Sequence, residues 1–123
     1  MGNSEIKDAL FDKADFIDRV EGDMELAAEI AEMFLEDAAE NMDRIRQAAL
    51  RKDFGALGQA AHSLKGASAN LSGMRVRQAA ADLEQAAKEN KTESVEHRLA
   101  LLEKEVAAFR SALQDQILPV RGG

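Results

Sequence analysis

From Asp23 to Lys52 the chain has neither glycine nor proline, and its single proline, Pro119, stands near the C-terminus. These two residues oppose helices most strongly, glycine through its backbone freedom and proline through its missing N–H. A long segment without either has few alternatives to a helix if its apolar residues also keep a helical period. They do: Leu26, Ile30, Met33/Phe34, Ala38, Ile45 and Ala49 recur at that spacing. One long helix is expected here, or two with a bend near Asn41.

A helix with an apolar stripe must bury it against other elements, and the rest of the chain supplies more helices. Phe11 to Val20 reads as a short first helix with Phe11, Phe16, Ile17 and Val20 inward. Gly22 breaks it and Asp23 can cap the long second helix. Asp53 is the next cap. The third helix carries Leu57, Ala60/Ala61, Leu64, Ala67/Ser68 and Leu71, and Ser72-Gly73 ends it. A fourth follows with Val76, Ala79/Ala80, Leu83 and Ala86/Ala87 inward. After a turn at Asn90-Lys91, Thr92 or Ser94 can cap the last helix, patterned by Val95, Leu99, Leu102, Val106, Phe109, Leu113 and Ile117. Helices joined by short turns become antiparallel neighbours. The expected fold is therefore all-α, an antiparallel up-down four-helix bundle with a short additional N-terminal helix. Residues 11–117 form the bundle, with tails at 1–10 and 118–123.

Composition excludes several functions. The 123 residues include no cysteine, so disulfide and thiolate chemistry are out. The formal net charge of -7 and the lack of a basic cluster argue against nucleic-acid binding. No apolar run approaches the roughly 20 residues that span a bilayer, and no leader-like segment opens the chain. A cytoplasmic protein is expected, with Met1-Gly2 and Arg121-Gly122-Gly123 looking like trimmed ends, whether of a free protein or of a domain cut from a longer chain. There is no GxxxxGK[ST] loop to cradle a nucleotide.

The third helix has an unusual outer face. His62 lies two residues before Leu64, about 200° around the helix from the apolar seam. Three and four residues away are Gly58, Gln59, Lys65 and Gly66, with Gly55, Ala69 and Gly73 a turn further off. Glycine inside an exposed helix costs about 1 kcal/mol relative to alanine, and close approach by another molecule is the usual compensation. A neutral imidazole is nucleophilic near pH 7, and Lys65 can pair with an anion placed on it, such as a phosphoryl. On spacing alone a solvated His–Lys pair fits equally well. His97, among Glu93, Glu96 and Arg98, reads as plain surface, as do Glu36-Asp37, Glu40 and Asp43. The small-residue stripe Ala27/Ala28, Ala31, Leu35, Ala38/Ala39 and Met42 reads first as core, with a docking patch beside His62 as the other option.

His62-Ser63-Leu64-Lys65-Gly66-Ala67-Ser68, followed by Leu71, resembles the phosphorylation motif of histidine-containing phosphotransfer (HPt) domains of two-component signalling. Gly22-Asp23 before a long helix with Phe34, Asp53 before the histidine helix, and Leu83-Glu84 in the next helix also look like that family, so the likeness covers about Phe11 to Leu113. One departure is that the family commonly has Gly directly after the motif's last leucine, where Ser72 stands here. The resemblance implies that His62 is the phosphoacceptor through Nε2, that Lys65 neutralises the phosphoryl group, and that Gly66 leaves room for it and the partner. It places Glu84 where a polar side chain meets the imidazole. A carboxylate there would accept from Nδ1–H and leave Nε2 free, although a surface charge at this position is as consistent with the sequence. Gly58, Gln59, Ser63 and Ala69 are the candidate docking positions.

The implied function is a monomeric phosphorelay carrier, without a cofactor of its own. Its partners would be receiver domains, which would bring Mg²⁺, and a hybrid histidine kinase. Two alternatives remain at this stage: the substrate domain of a chemotaxis-type kinase, and a receiver-binding module without transfer.

Overall fold

Three aspartates start three of the helices. The side chains of Asp12, Asp23 and Asp53 accept hydrogen bonds from the backbone N–H groups of Asp15, Leu26 and Ala56 at 3.0–3.1 Å, which satisfies donors that a helix start leaves unpaired. In the computed structural model, which describes residues 10–119, the described residues form five helices. These are α1 (Lys13–Arg19), α2 (Met24–Arg51), α3 (Phe54–Asn70), α4 (Met74–Lys88) and α5 (Thr92–Gln116).

The Asp23–Lys52 segment forms one continuous helix, Met24–Arg51 between its two cap residues, and not two. α2 packs on α3, α3 on α4, α4 on α5, and α5 closes back on α2, with α1 laid against α2. The four long helices are the expected bundle and α1 is the additional N-terminal helix. Most of the expected tail residues lie outside the described range; within it, Leu10 and Leu118 pack against the core.

The core is contributed by all five helices. Phe16, Ile45, Leu57, Leu64, Leu83, Leu102, Phe109, Leu113 and, just past the last helix, Ile117 are its largest enclosed side chains. Ala27, Ala28, Ala31, Ala38 and Met42 are buried too, which settles the small-residue stripe as mainly core. Leu35 is only partly covered and Ala39 is exposed. Leu26 and Met33, expected inward, are instead exposed. One buried hydroxyl, Ser68 Oγ, is satisfied by donating to the Leu64 carbonyl one turn back.

The helix ends differ from expectation in two places. Lys91, not Thr92 or Ser94, occupies the N-cap position of α5, and no side chain caps that end. At the end of α3 the left-handed residue is Ser72, with φ 58°, while Gly73 has φ -89° and starts α4. Gly73 is needed for a different reason: a Cβ there would lie 2.7 Å from the Phe109 ring. Ser72 is held in its strained conformation from outside. Its Oγ donates to Asp15 Oδ2 at 2.5 Å and its carbonyl accepts from Asp12 N at 3.0 Å, which ties α1 to the α3–α4 turn.

Candidate functional site

α3 buries Leu57, Ala60, Ala61, Leu64 and Ser68. That seam fixes the rotation of the helix and turns His62 outward, with 66% of its side chain exposed. Leu83 is buried on α4, so its neighbour Glu84 is carried to the edge of the α3–α4 seam, where it meets the histidine. His62 Nδ1 lies 3.0 Å from Glu84 Oε2, and Lys65 Nζ lies 2.9 Å from Glu84 Oε1. One carboxylate thus receives two side chains from the facing helix, one on each oxygen.

An ionised carboxylate only accepts hydrogen bonds. Glu84 is held below its ordinary value of 4.5, chiefly by the hydrogen bond from Lys65, with the lysine's charge and His62 adding to it and partial burial opposing. The contact with Nδ1 therefore has the ring donating from Nδ1, and in the neutral ring this puts the lone pair on Nε2. The result is an exposed imidazole, fixed in orientation and tautomer, with its far nitrogen available as a nucleophile.

The other sequence-derived positions divide. Gly58, Gln59 and Ser63 line an open depression together with His62, Glu84, Ala87 and Lys88. Gln59 and Ser63 also border a second depression, with Asn41, Arg44 and Arg51 of α2 on its far side. Gly66 is exposed, and a Cβ on it would meet nothing within 4 Å. Ala69 is half-buried and lines neither depression. Gly73, counted with the histidine face from its spacing, is buried against Phe109 instead. Lys65 is directed to Glu84, a pairing that the spacing along α3 did not reveal.

One group escaped the sequence reading altogether. Lys88 Nζ stands 3.8 Å from Glu84 Oε2, with 67% of its side chain exposed. Four residues from Glu84 on one helix face is a spacing at which side chains meet, so the signal was present once Glu84 was in view. Among the described residues no three His, Cys, Asp or Glu side chains gather in a way that could hold a metal ion. Nor is any helix of the described residues long and apolar enough to cross a membrane.

Comparison with known proteins bears on the family and the fold. The family model described as Hpt domain matches residues 29–112. No curated protein sequence matches the chain. Among solved structures, histidine-containing phosphotransfer protein B from Pseudomonas aeruginosa superposes with a TM-score of 0.81 at 21% identity, over 87% of this chain and 93% of that one. A protein from rice, described as a putative histidine-containing phosphotransfer protein, gives 0.79 at 18% identity, over 94% and 84%. The maize histidine-containing phosphotransfer protein ZmHP2 gives 0.79 at 20% identity, over 98% and 90%. At these identities the structural likeness speaks for the fold.

Proposed function

The chain belongs to the Hpt domain family, and from that membership we propose that it is a phosphorelay carrier whose His62 accepts a phosphoryl group from the phosphoaspartate of a receiver domain and passes it to another receiver. The observation that carries this reading is the hydrogen bond between His62 Nδ1 and Glu84 Oε2 at 3.0 Å on an exposed ring.

In the proposed step Nε2 attacks phosphorus in line. The P–N bond forms as the P–O bond to the donor aspartate breaks, and the aspartate departs with the electron pair as a carboxylate. Nδ1 keeps its proton, so positive charge develops on the ring, and Glu84 is already placed to stabilise it. The reverse sequence delivers the group to a second receiver. Most of the acceleration in phosphoryl transfer comes from positioning and charge neutralisation. In this reading Mg²⁺ belongs to the receiver, a hybrid histidine kinase supplies the phosphoryl group upstream, and the carrier acts as a cytoplasmic monomer.

The test is direct. Mixed with a phosphorylated receiver, the protein is expected to gain an acid-labile, alkali-stable phosphoryl group, and His62→Gln is expected to reduce that label to background without loss of helicity. Label on His62→Gln equal to wild type would overturn the proposal.

A further inference from the structure

We infer that Lys88, and not Lys65, is the cation that binds the phosphoryl group on His62, while Lys65 positions Glu84; this rests on the carrier reading above.

Glu84 has two oxygens and three cationic or potentially cationic neighbours. Oε1 is taken by Lys65 at 2.9 Å. Oε2 is taken by His62 at 3.0 Å, and Lys88 stands off from that same atom at 3.8 Å, beyond hydrogen-bond length. The two lysines are also enclosed to different degrees. Lys65 has 30% of its side chain exposed against 67% for Lys88, and Glu84 itself only 13%. If Lys65 moved to a phosphoryl group it would break a charge-assisted bond and leave a mostly enclosed carboxylate short of its partner. If Lys88 moved it would give up a loose, solvent-screened attraction.

Position favours the same residue. Lys88 lines the depression that His62 borders, and Lys65 does not. Phosphorylation strengthens the preference. A ring that gains positive charge holds Oε2 more tightly through Nδ1–H, so Oε2 becomes a poorer partner for Lys88. The phosphoryl group meanwhile offers strong acceptor oxygens. A compact ammonium on a flexible stem is suited to follow a charge that arrives and leaves.

The experiment uses the full chain with phosphoramidate, a small donor that phosphorylates histidine without a receiver. The phosphoryl group on His62 is followed by ³¹P NMR against pH, and its equilibrium is then measured against a phosphorylatable receiver. Lys88→Ala is expected to raise the pH at which the phosphoryl group takes its second negative charge. It should also lower the phosphorylated fraction roughly two- to fivefold, the size of an exposed ion pair. Lys88→Arg should restore most of both, and Lys65→Ala should leave the phosphoryl titration in place while shifting the His62 ring signals. A Lys88→Ala protein that titrates and equilibrates like wild type overturns this assignment alone, as does a Lys65→Ala protein that carries the whole phosphoryl shift. Wild-type protein that takes no label on His62 overturns the carrier reading and the assignment with it.

Discussion

Glu84 joins α3 to α4 at the one place where chemistry is expected: Lys65 donates to its Oε1, and His62 Nδ1 to its Oε2. The same contacts make it a source of pH-dependent stability. Its folded-state pKa lies below the ordinary value of 4.5, first because of the Lys65 hydrogen bond. A carboxyl group whose pKa is depressed on folding contributes stability that is present above its unfolded value. That stability is lost as pH falls through the folded value. Urea titrations across the acidic range are therefore expected to show a falling unfolding free energy as pH drops below the ordinary glutamate range, with a smaller slope in Glu84→Gln. An unchanged slope would mean that the Lys65 and His62 contacts do not outlast solvent competition. From the sequence, the importance of position 84 came through the family resemblance alone. Residues 62 and 84 meet only because two helices pack with one particular rotation and register, and periodicity within either helix does not specify that.

At the scale of the elements, the helix starts were more legible than the helix ends. Asp23 and Asp53 were read as caps because a short acceptor side chain before an apolar-periodic run acts locally. The ends follow one repeated pattern that composition hides. Glu21, Lys52, Ser72 and Asn90 all take left-handed backbone conformations with φ of 54–58°. In each case the following residue donates back to a carbonyl five residues earlier, as Gly73 does to Ser68 and Asp53 to Ala48. Glycine is the usual choice for such a position, and none of the four is glycine. The glycines nearby have other uses, which a pair of substitutions separates. Gly73→Ala would drive a Cβ to 2.7 Å from the Phe109 ring and is expected to lower stability by about 1–3 kcal/mol. Gly66→Ala enters open space on a helix and is expected to raise stability by about 0.5–1 kcal/mol, while slowing phosphoryl uptake from a receiver that must approach that face. Thermal denaturation checks both, and uptake rates check the second. A Gly66→Ala protein that is stabilised and transfers at the wild-type rate would show that the partner needs no clearance there.

Across the whole molecule, Phe109 is the point at which the distant parts meet. Its ring lies 5.5 Å from that of Phe11 and 5.3 Å from that of Phe34, at steep interplanar angles, and it covers Gly73. It therefore links the segment before α1, α2, the α3–α4 turn and α5. Phe109→Ala is expected to cost about 3–5 kcal/mol, a large share of the marginal stability of a domain of this size, and to unfold the bundle as a unit in urea. A loss under about 1 kcal/mol, or melting of α1 alone, would show that the ring is not shared in this way.

The amino-acid order by itself determined that the chain is helical, roughly where each helix begins, and that His62 stands opposite the seam of its own helix. These are local properties, governed by the helical period, by caps within three residues, and by the absence of breakers. It also carried a motif specific enough to name the family. Only the packing of α3 on α4 decided that Glu84 would hold the imidazole, that Lys65 would be committed to that carboxylate and that Lys88 would be left loose beside it, and only the packing of α5 on the α3–α4 turn placed Gly73 under the Phe109 ring rather than on the histidine face. Each of those depends on how one helix is turned and slid against another, which many side chains far apart in the chain settle together.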